Sequence, residues 1–311
     1  LFHRQTCSIY LQPFTLKETE EYLLSRRIEW SRYDITRCYM AIGGIPYYLS
    51  LLVPDKSLND NIDNLFFRKR AELWNEYDQL YRTLFGNSPH YVKIVETLSS
   101  RRAGLTRNEI IQATGISDNG TLSDILTNLV DSGFIRQCNV FGKKKESYYQ
   151  LCDYYSWFYF RFIKGYHGRD EHFWSHSYGS PSQNAWAGLT FEQVCKDHIQ
   201  QIKHSIGISG VLSEESIWAV KGDENHKGAQ IDLLIDRRDH VIDLCEIKYS
   251  AGEYEINANY HESLRNKRER FREQSGTKKT LQIVMITTYG VKKNKYSGIM
   301  SNQVTLDDLF R

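Results

Sequence analysis

The sequence predicts a multidomain protein of mixed class, α followed by α/β, and three observations lead there. Apolar residues recur at helical spacing from Leu16 to Phe85 with no strand alternation. Three short amphipathic helices and a pair of strands follow between Tyr91 and Leu151. Beyond Trp186, strands alternate with helices, the pattern of a sheet covered by helices. At 311 residues the chain exceeds the roughly 100–200 of one ordinary domain, and the expected units are 1–85, 86–152 and 186–311, with 153–185 as an aromatic helix and connector.

In the first unit, Thr15 with Glu18 three residues on is a capping box ahead of Tyr22, Leu23 and Ile28. A second helix is expected from about Asp34 to Ile42, stopped by Gly43-Gly44-Ile45-Pro46. Tyr47–Leu52, Leu58–Phe67 and Glu72–Phe85 read as three more. In the second unit, Tyr91, Ile94, Val95 and Leu98 form one helical face. Thr106 caps the next helix, which Gly115 ends, and Leu122, Ile125, Leu126 and Leu129 line a third. Phe134–Val140 and Ser147–Leu151 then read as strands joined by the basic turn Gly142-Lys143-Lys144-Lys145, which completes a winged helix-turn-helix. In the last unit the expected order is a helix from Leu189 to about Ile206, strands at Ser216–Val220, Gln230–Asp236 and Val241–Ile247, a charged helix at Glu262–Gln274, and a buried strand at Leu281–Thr287.

Composition excludes several classes. Hydrophobic residues make up 41% and charged residues 25%, so neither a disordered nor a collagen-like chain fits. No run approaches the roughly 18 apolar residues that span a bilayer, and membrane insertion is not expected. Six cysteines lie scattered without a CxxC pair, which suits a reducing, cytoplasmic setting, and the ten histidines show no zinc-ligand spacing. With 40 Lys plus Arg against 38 Asp plus Glu, any affinity for nucleic acid must come from local patches.

The sharpest chemical pattern is Asp232 followed by Glu246-Ile247-Lys248. Strands joined at Arg237-Arg238-Asp239-His240 would bring Asp232 beside Glu246, and period-two alternation puts Glu246 and Lys248 on one face. Two carboxylates are what Mg²⁺ or Mn²⁺ prefers, and a neighbouring lysine suits phosphodiester hydrolysis. Glu192, on the preceding helix, would add a third acid. The competing explanation is a surface ion pair on a strand edge, and the charged residues punctuating an otherwise apolar strand weigh against it.

Gly228-Ala229-Gln230-Ile231-Asp232, then Cys245-Glu246-Ile247-Lys248, with Glu192 before them, resembles the PD-(D/E)XK nuclease superfamily. The whole order, with Gly43-Gly44-Ile45-Pro46-Tyr47-Tyr48-Leu49 first and a winged helix between, is similar to the archaeal and bacterial AAA-family ATPases that carry a C-terminal DUF234 domain. That resemblance implies a helical lid of a STAND-like P-loop ATPase at residues 1–85 and a restriction-endonuclease-like fold at 186–311. It makes Asp232 and Glu246 metal ligands, Lys248 the catalytic lysine, and Glu192 the acid of the first core helix. Ile231 replaces the proline frequent before that aspartate. No GxxxxGK[ST] phosphate loop occurs, so ATP belongs only to a full-length protein, and the start at Leu1 suggests the back portion of a longer chain.

For DNA, the expected partner, Lys143, Lys144 and Lys145 would reach phosphate from the wing, and Lys267, in the run Arg265–Arg272, would do so beside the metal site. The outward side of the third winged-helix element offers Ser123, Asp124, Thr127, Asn128 and Asp131, a poor surface for reading bases, so a structural or protein-docking role stands beside duplex binding. The run from Tyr154 to Phe162 is aromatic on all sides, as an interdomain core would be. The resemblance leaves a homo-oligomer open.

Overall fold

The computed structural model describes residues 11–86, 88–101, 103–222 and 227–311, without the side chains of 144–146. Helix α1 (Leu16–Ser25) starts on the Thr15 capping box: the Thr15 hydroxyl accepts from Glu18 N, and Glu18 accepts from Thr15 N at 2.8 Å. Helix α2 (Arg32–Ile42), capped by Ser31, ends where Gly43 takes φ +68. Helix α3 (Pro46–Ser50) has its proline in the first turn, where no N–H is needed. Helix α4 (Leu58–Ile62) runs into a π turn, Asp63–Phe67, and α5 (Glu76–Phe85) closes this part. Residues 71–75 form turns instead of extending α5 to Glu72.

Next come α6 (Pro89–Ser99), the short strand β1 (Leu105–Thr106), α7 (Arg107–Thr114) and α8 (Gly120–Asp131), then β2 (Ile135–Val140) and β3 (Lys143–Leu151). The hairpin turn is Phe141-Gly142, with Gly142 at φ +78, so Lys143, Lys144 and Lys145 open strand β3 and do not form the expected basic turn. The aromatic segment is α9 (Tyr154–Phe158) and a second π turn, Tyr159–Ile163. Its rings form core: Phe158 lies 4.6 Å from Phe66 and 5.1 Å from Trp174, and Tyr77 stacks on Tyr159 at 4.2 Å.

The connector holds α10 (Phe173–His176), and α11 (Pro181–Asp197) begins two turns before the expected Leu189. Those turns look like loop because they are polar, yet Gln183 is buried and donates to the Trp174 carbonyl at 3.0 Å. After a break at His198, α12 (Ile199–Ser205) leads into β4 (Ser213–Val220), β5 (Ala229–Arg237) and β6 (Val241–Lys248). Helix α13 (Ala258–Ser275), β7 (Thr280–Thr287), β8 (Asn302–Val304) and a 3-10 turn, Leu306–Phe310, finish the chain.

The strands form one eight-stranded sheet in the order β1-β3-β2-β4-β5-β6-β7-β8. β4, β5 and β6 are antiparallel neighbours, while β7 returns through α13 to lie parallel to β6 from Val241↔Thr280 to Lys248↔Thr287. The hairpin joins this array at one place, Val140↔Ile217, where Phe141 N also donates to Ile217 O at 2.9 Å. Helix α11 packs Phe191, Val194 and Cys195 on the face carrying Leu233, Ile235, Cys245 and Ile247. Helix α13 covers the other face, setting Phe271 against Trp218, Leu234 and Leu244. The first of these cores continues without interruption from Leu16 to Phe310, so the helical part, the three-helix unit and the sheet share one interior.

His198 fastens the first helix to that interior. Its Nε2 accepts from Leu16 N at 2.9 Å, and its Nδ1 lies 2.8 Å from the Val194 carbonyl, so the proton sits on Nδ1 and the ring is neutral. Burial lowers its pKa below the ordinary 6.5. The unfolded chain therefore binds the extra proton first, and stability is whole above about pH 6.5 and falls as the pH drops through that value. Melting temperatures measured at about pH 7.5 and about pH 5.5 should fall less in His198→Gln, whose amide oxygen still accepts from Leu16, than in the wild type. An equal fall in both would show that this ring does not carry the dependence.

Candidate functional site

Strand β6 places Glu246 and Lys248 two residues apart on the face under α13, as period-two alternation predicts. Glu246 is 6% exposed. Its Oε2 accepts from the Tyr260 hydroxyl at 2.9 Å and its Oε1 from Lys267 Nζ at 2.5 Å. The Lys248 ammonium lies over the Tyr260 ring, 5.1 Å from its centre. Both partners come from α13, where Tyr260, Leu264, Lys267 and Phe271 follow one another at helical spacing. Leu264 and Phe271 are fully buried, so this is the stripe that faces the sheet. Burial and the Glu246 carboxylate together hold the Tyr260 phenol far above its ordinary pKa, and it stays protonated as a donor.

Asp232 is placed differently from the sequence expectation. The β5–β6 ladder ends at Leu233↔Cys245, which brings the Asp232 backbone next to Glu246. Against β4, however, pairing moves from Ser216↔Leu234 to Trp218↔Ile231, so Asp232 and Leu233 together oppose the single residue Ile217. Ile231 and Leu234 both pack under α13, in the cluster of Trp218 and Phe271. Leu233 packs on the α11 side, while Asp232, at the bulge, lines two cavities, one of about 240 Å³ with Lys196, Ile199 and Ile217 and one of about 470 Å³ with Trp218, Gln230 and Gln274 of α13. Gln230 Nε2 donates to Asp232 Oδ1 at 2.5 Å. The bulge shifts the register against β4 at Asp232 but leaves its charge near enough to Tyr260, the partner of Glu246, to raise that phenol's pKa further.

Glu192 is also on the α11 side. It stands beside Cys195, whose thiol burial first and Glu192 second push upward, and Cys195 packs in the cluster of Cys245. Glu246 and Lys248 thus lie together under α13. Among the described residues no group of three His, Cys, Asp or Glu side chains could hold a metal ion. Glu246, the buried one of the two expected ligands, holds Lys267 on one oxygen and Tyr260 on the other, so a divalent ion there would have to share those oxygens with the ammonium or displace it.

The basic residues are redistributed as well. Lys267, expected at phosphate, pairs with Glu246. Lys143 is exposed, and the side chains of Lys144 and Lys145 lie outside the described residues. The wing tip is not a free projection, since Phe141 packs 4.9 Å from Phe271 of α13. On α8, Ser123, Asp124, Thr127, Asn128 and Asp131 are exposed as expected. A positive groove lies at the end of α13 and just after it, lined by Arg268, Arg272, Lys278 and Lys279 with Glu269.

No family model, curated protein or solved structure matches the chain. No helix among the described residues is long and apolar enough to cross a membrane. The sequence reading does not single out Tyr260, and it places Lys267 at DNA phosphate, not at Glu246. The signal was there: both lie in register with Leu264 and Phe271 on an otherwise charged helix.

The Gly43–Leu49 segment has a structural account. The Phe14 N–H donates to Gly44 O at 2.8 Å, and a Cβ on Gly44 would stand 2.0 Å from Phe14 O. The segment lines a cavity of about 640 Å³ together with Arg136, Asp197 and His198. Arg136 and the Tyr154 hydroxyl both bind the Asp197 carboxylate there.

Proposed function

We propose that this chain is the lid, winged-helix and restriction-endonuclease-like part of an AAA-family ATPase of the DUF234 kind, and that its last domain recognises DNA without cutting it. The observation that supports this reading is that Glu246 is already compensated, by the Lys267 ammonium on one oxygen and the Tyr260 hydroxyl on the other. The run β4-β5-β6-α13-β7, with α11 on the opposite face, supports the fold assignment. The α6–α8 unit with its hairpin supports the winged helix, acting as a joint because its tip is fixed to β4 and Phe271. Phosphate contact falls to Arg268, Arg272 and Lys278.

A second reading, Mg²⁺-dependent hydrolysis of DNA by Asp232, Glu246 and Lys248, is favoured by one feature: Glu246 and Lys248 do share a face beside Tyr260. One experiment separates the two. Fluorescence anisotropy in EDTA should show duplex or single-stranded DNA binding that weakens about tenfold or more in Arg268→Glu/Arg272→Glu and declines steeply with salt. Supercoiled DNA incubated with wild type and Asp232→Ala in Mg²⁺ or Mn²⁺ should remain intact in both. Cleavage lost in Asp232→Ala would replace the first reading by the second, and absence of DNA binding would sink both.

A further inference from the structure

We infer that Lys267 is a built-in cation that occupies, at Glu246, the place a divalent metal would take. This rests on the restriction-endonuclease-like reading above and explains how such a core persists without an ion. A carboxylate 6% exposed to water must be compensated, because an unpaired buried charge is strongly unfavourable. Here Lys267 Nζ sits 2.5 Å from Oε1 and the Tyr260 hydroxyl 2.9 Å from Oε2. A Mg²⁺ ion would need to stand about 2.0–2.1 Å from one of those same oxygens, in space the ammonium or the phenol fills.

Two further observations fit. Two more carboxylates of the β5–β6 hairpin have a cation of their own, Asp236 with Lys279 at 2.5 Å and Asp243 with Arg237 at 3.4 Å. The position of Lys267 is also set by the fold, because Leu264 and Phe271 on either side of it are fully buried and fix the rotation of α13.

Manganese titrations followed by the EPR signal of the free ion test this on the full chain. Wild type and Glu246→Gln should bind Mn²⁺ equally, since Glu246 offers no ion site while Lys267 is present. Lys267→Met should gain one site at least about tenfold tighter than anything in the wild type, and Lys267→Met/Glu246→Gln should lose it. A wild-type site abolished by Glu246→Gln overturns the inference, and so does a Lys267→Met protein that gains nothing. Should Lys267→Met fail to fold, the comparison of wild type with Glu246→Gln decides alone. The DNA measurement in EDTA is independent of this one, so failure of the internal cation and failure of DNA recognition are distinguishable.

Discussion

Gly44→Ala is expected to cost more than about 3 kcal/mol, among the largest losses a single methyl group produces. The added carbon would meet backbone on every side: Phe14 O at 2.0 Å, and Phe14 N and carbonyl carbon at 2.8 Å. None of these belongs to a flexible side-chain end, so relief requires the segment before α1 to move. That segment is held by the Phe14 N to Gly44 O bond and by the Tyr39 hydroxyl, which donates to Phe14 O at 2.8 Å. Urea unfolding followed by near-ultraviolet circular dichroism measures the loss. Gly188→Ala, inside α11 with nothing within 4 Å of the new carbon, is the control and should stabilise by about 0.5–1 kcal/mol. Equal midpoints for Gly44→Ala and wild type would refute the packing argument.

Asp63→Ala should cost about 3 kcal/mol or more. Asp63 is wholly buried at the start of the first π turn, and it accepts three hydrogen bonds from α10: Trp174 N at 2.8 Å, Ser175 N at 3.2 Å and Ser175 Oγ at 2.5 Å. Truncation leaves two backbone N–H groups unpaired in the interior and empties a site beside Trp174, itself 1% exposed. Asp63→Asn keeps the shape and one good acceptor, and should lose only about half as much in the same urea titration. A loss below about 1 kcal/mol for Asp63→Ala would show that water replaces the carboxylate there.

These two positions illustrate what could be read in advance. The stop at Gly43-Gly44-Ile45-Pro46 was visible because Gly and Pro act locally, but the contact with Phe14 spans thirty residues and has no local signature. Asp63 carries no local signal of its role. Its role depends on residues more than a hundred positions later. The polar opening of α11 was missed for the same reason, since Gln183 finds its partners in the preceding connector.

Local chemistry in the sequence by itself determined the class, the order of elements, the capping boxes at Thr15 and Thr106, the buried stripe of α8, and the shared face of Glu246 and Lys248. Each depends on propensities and periods that act within a few residues. Only the tertiary structure decided that the register against β4 shifts at Asp232, because a β-bulge arises from the mismatch of two strands and is invisible in either one. The same holds for Lys267. Its helix reads as a solvated basic face until the sheet beneath supplies a buried carboxylate, and the low-dielectric interior then makes that pairing necessary.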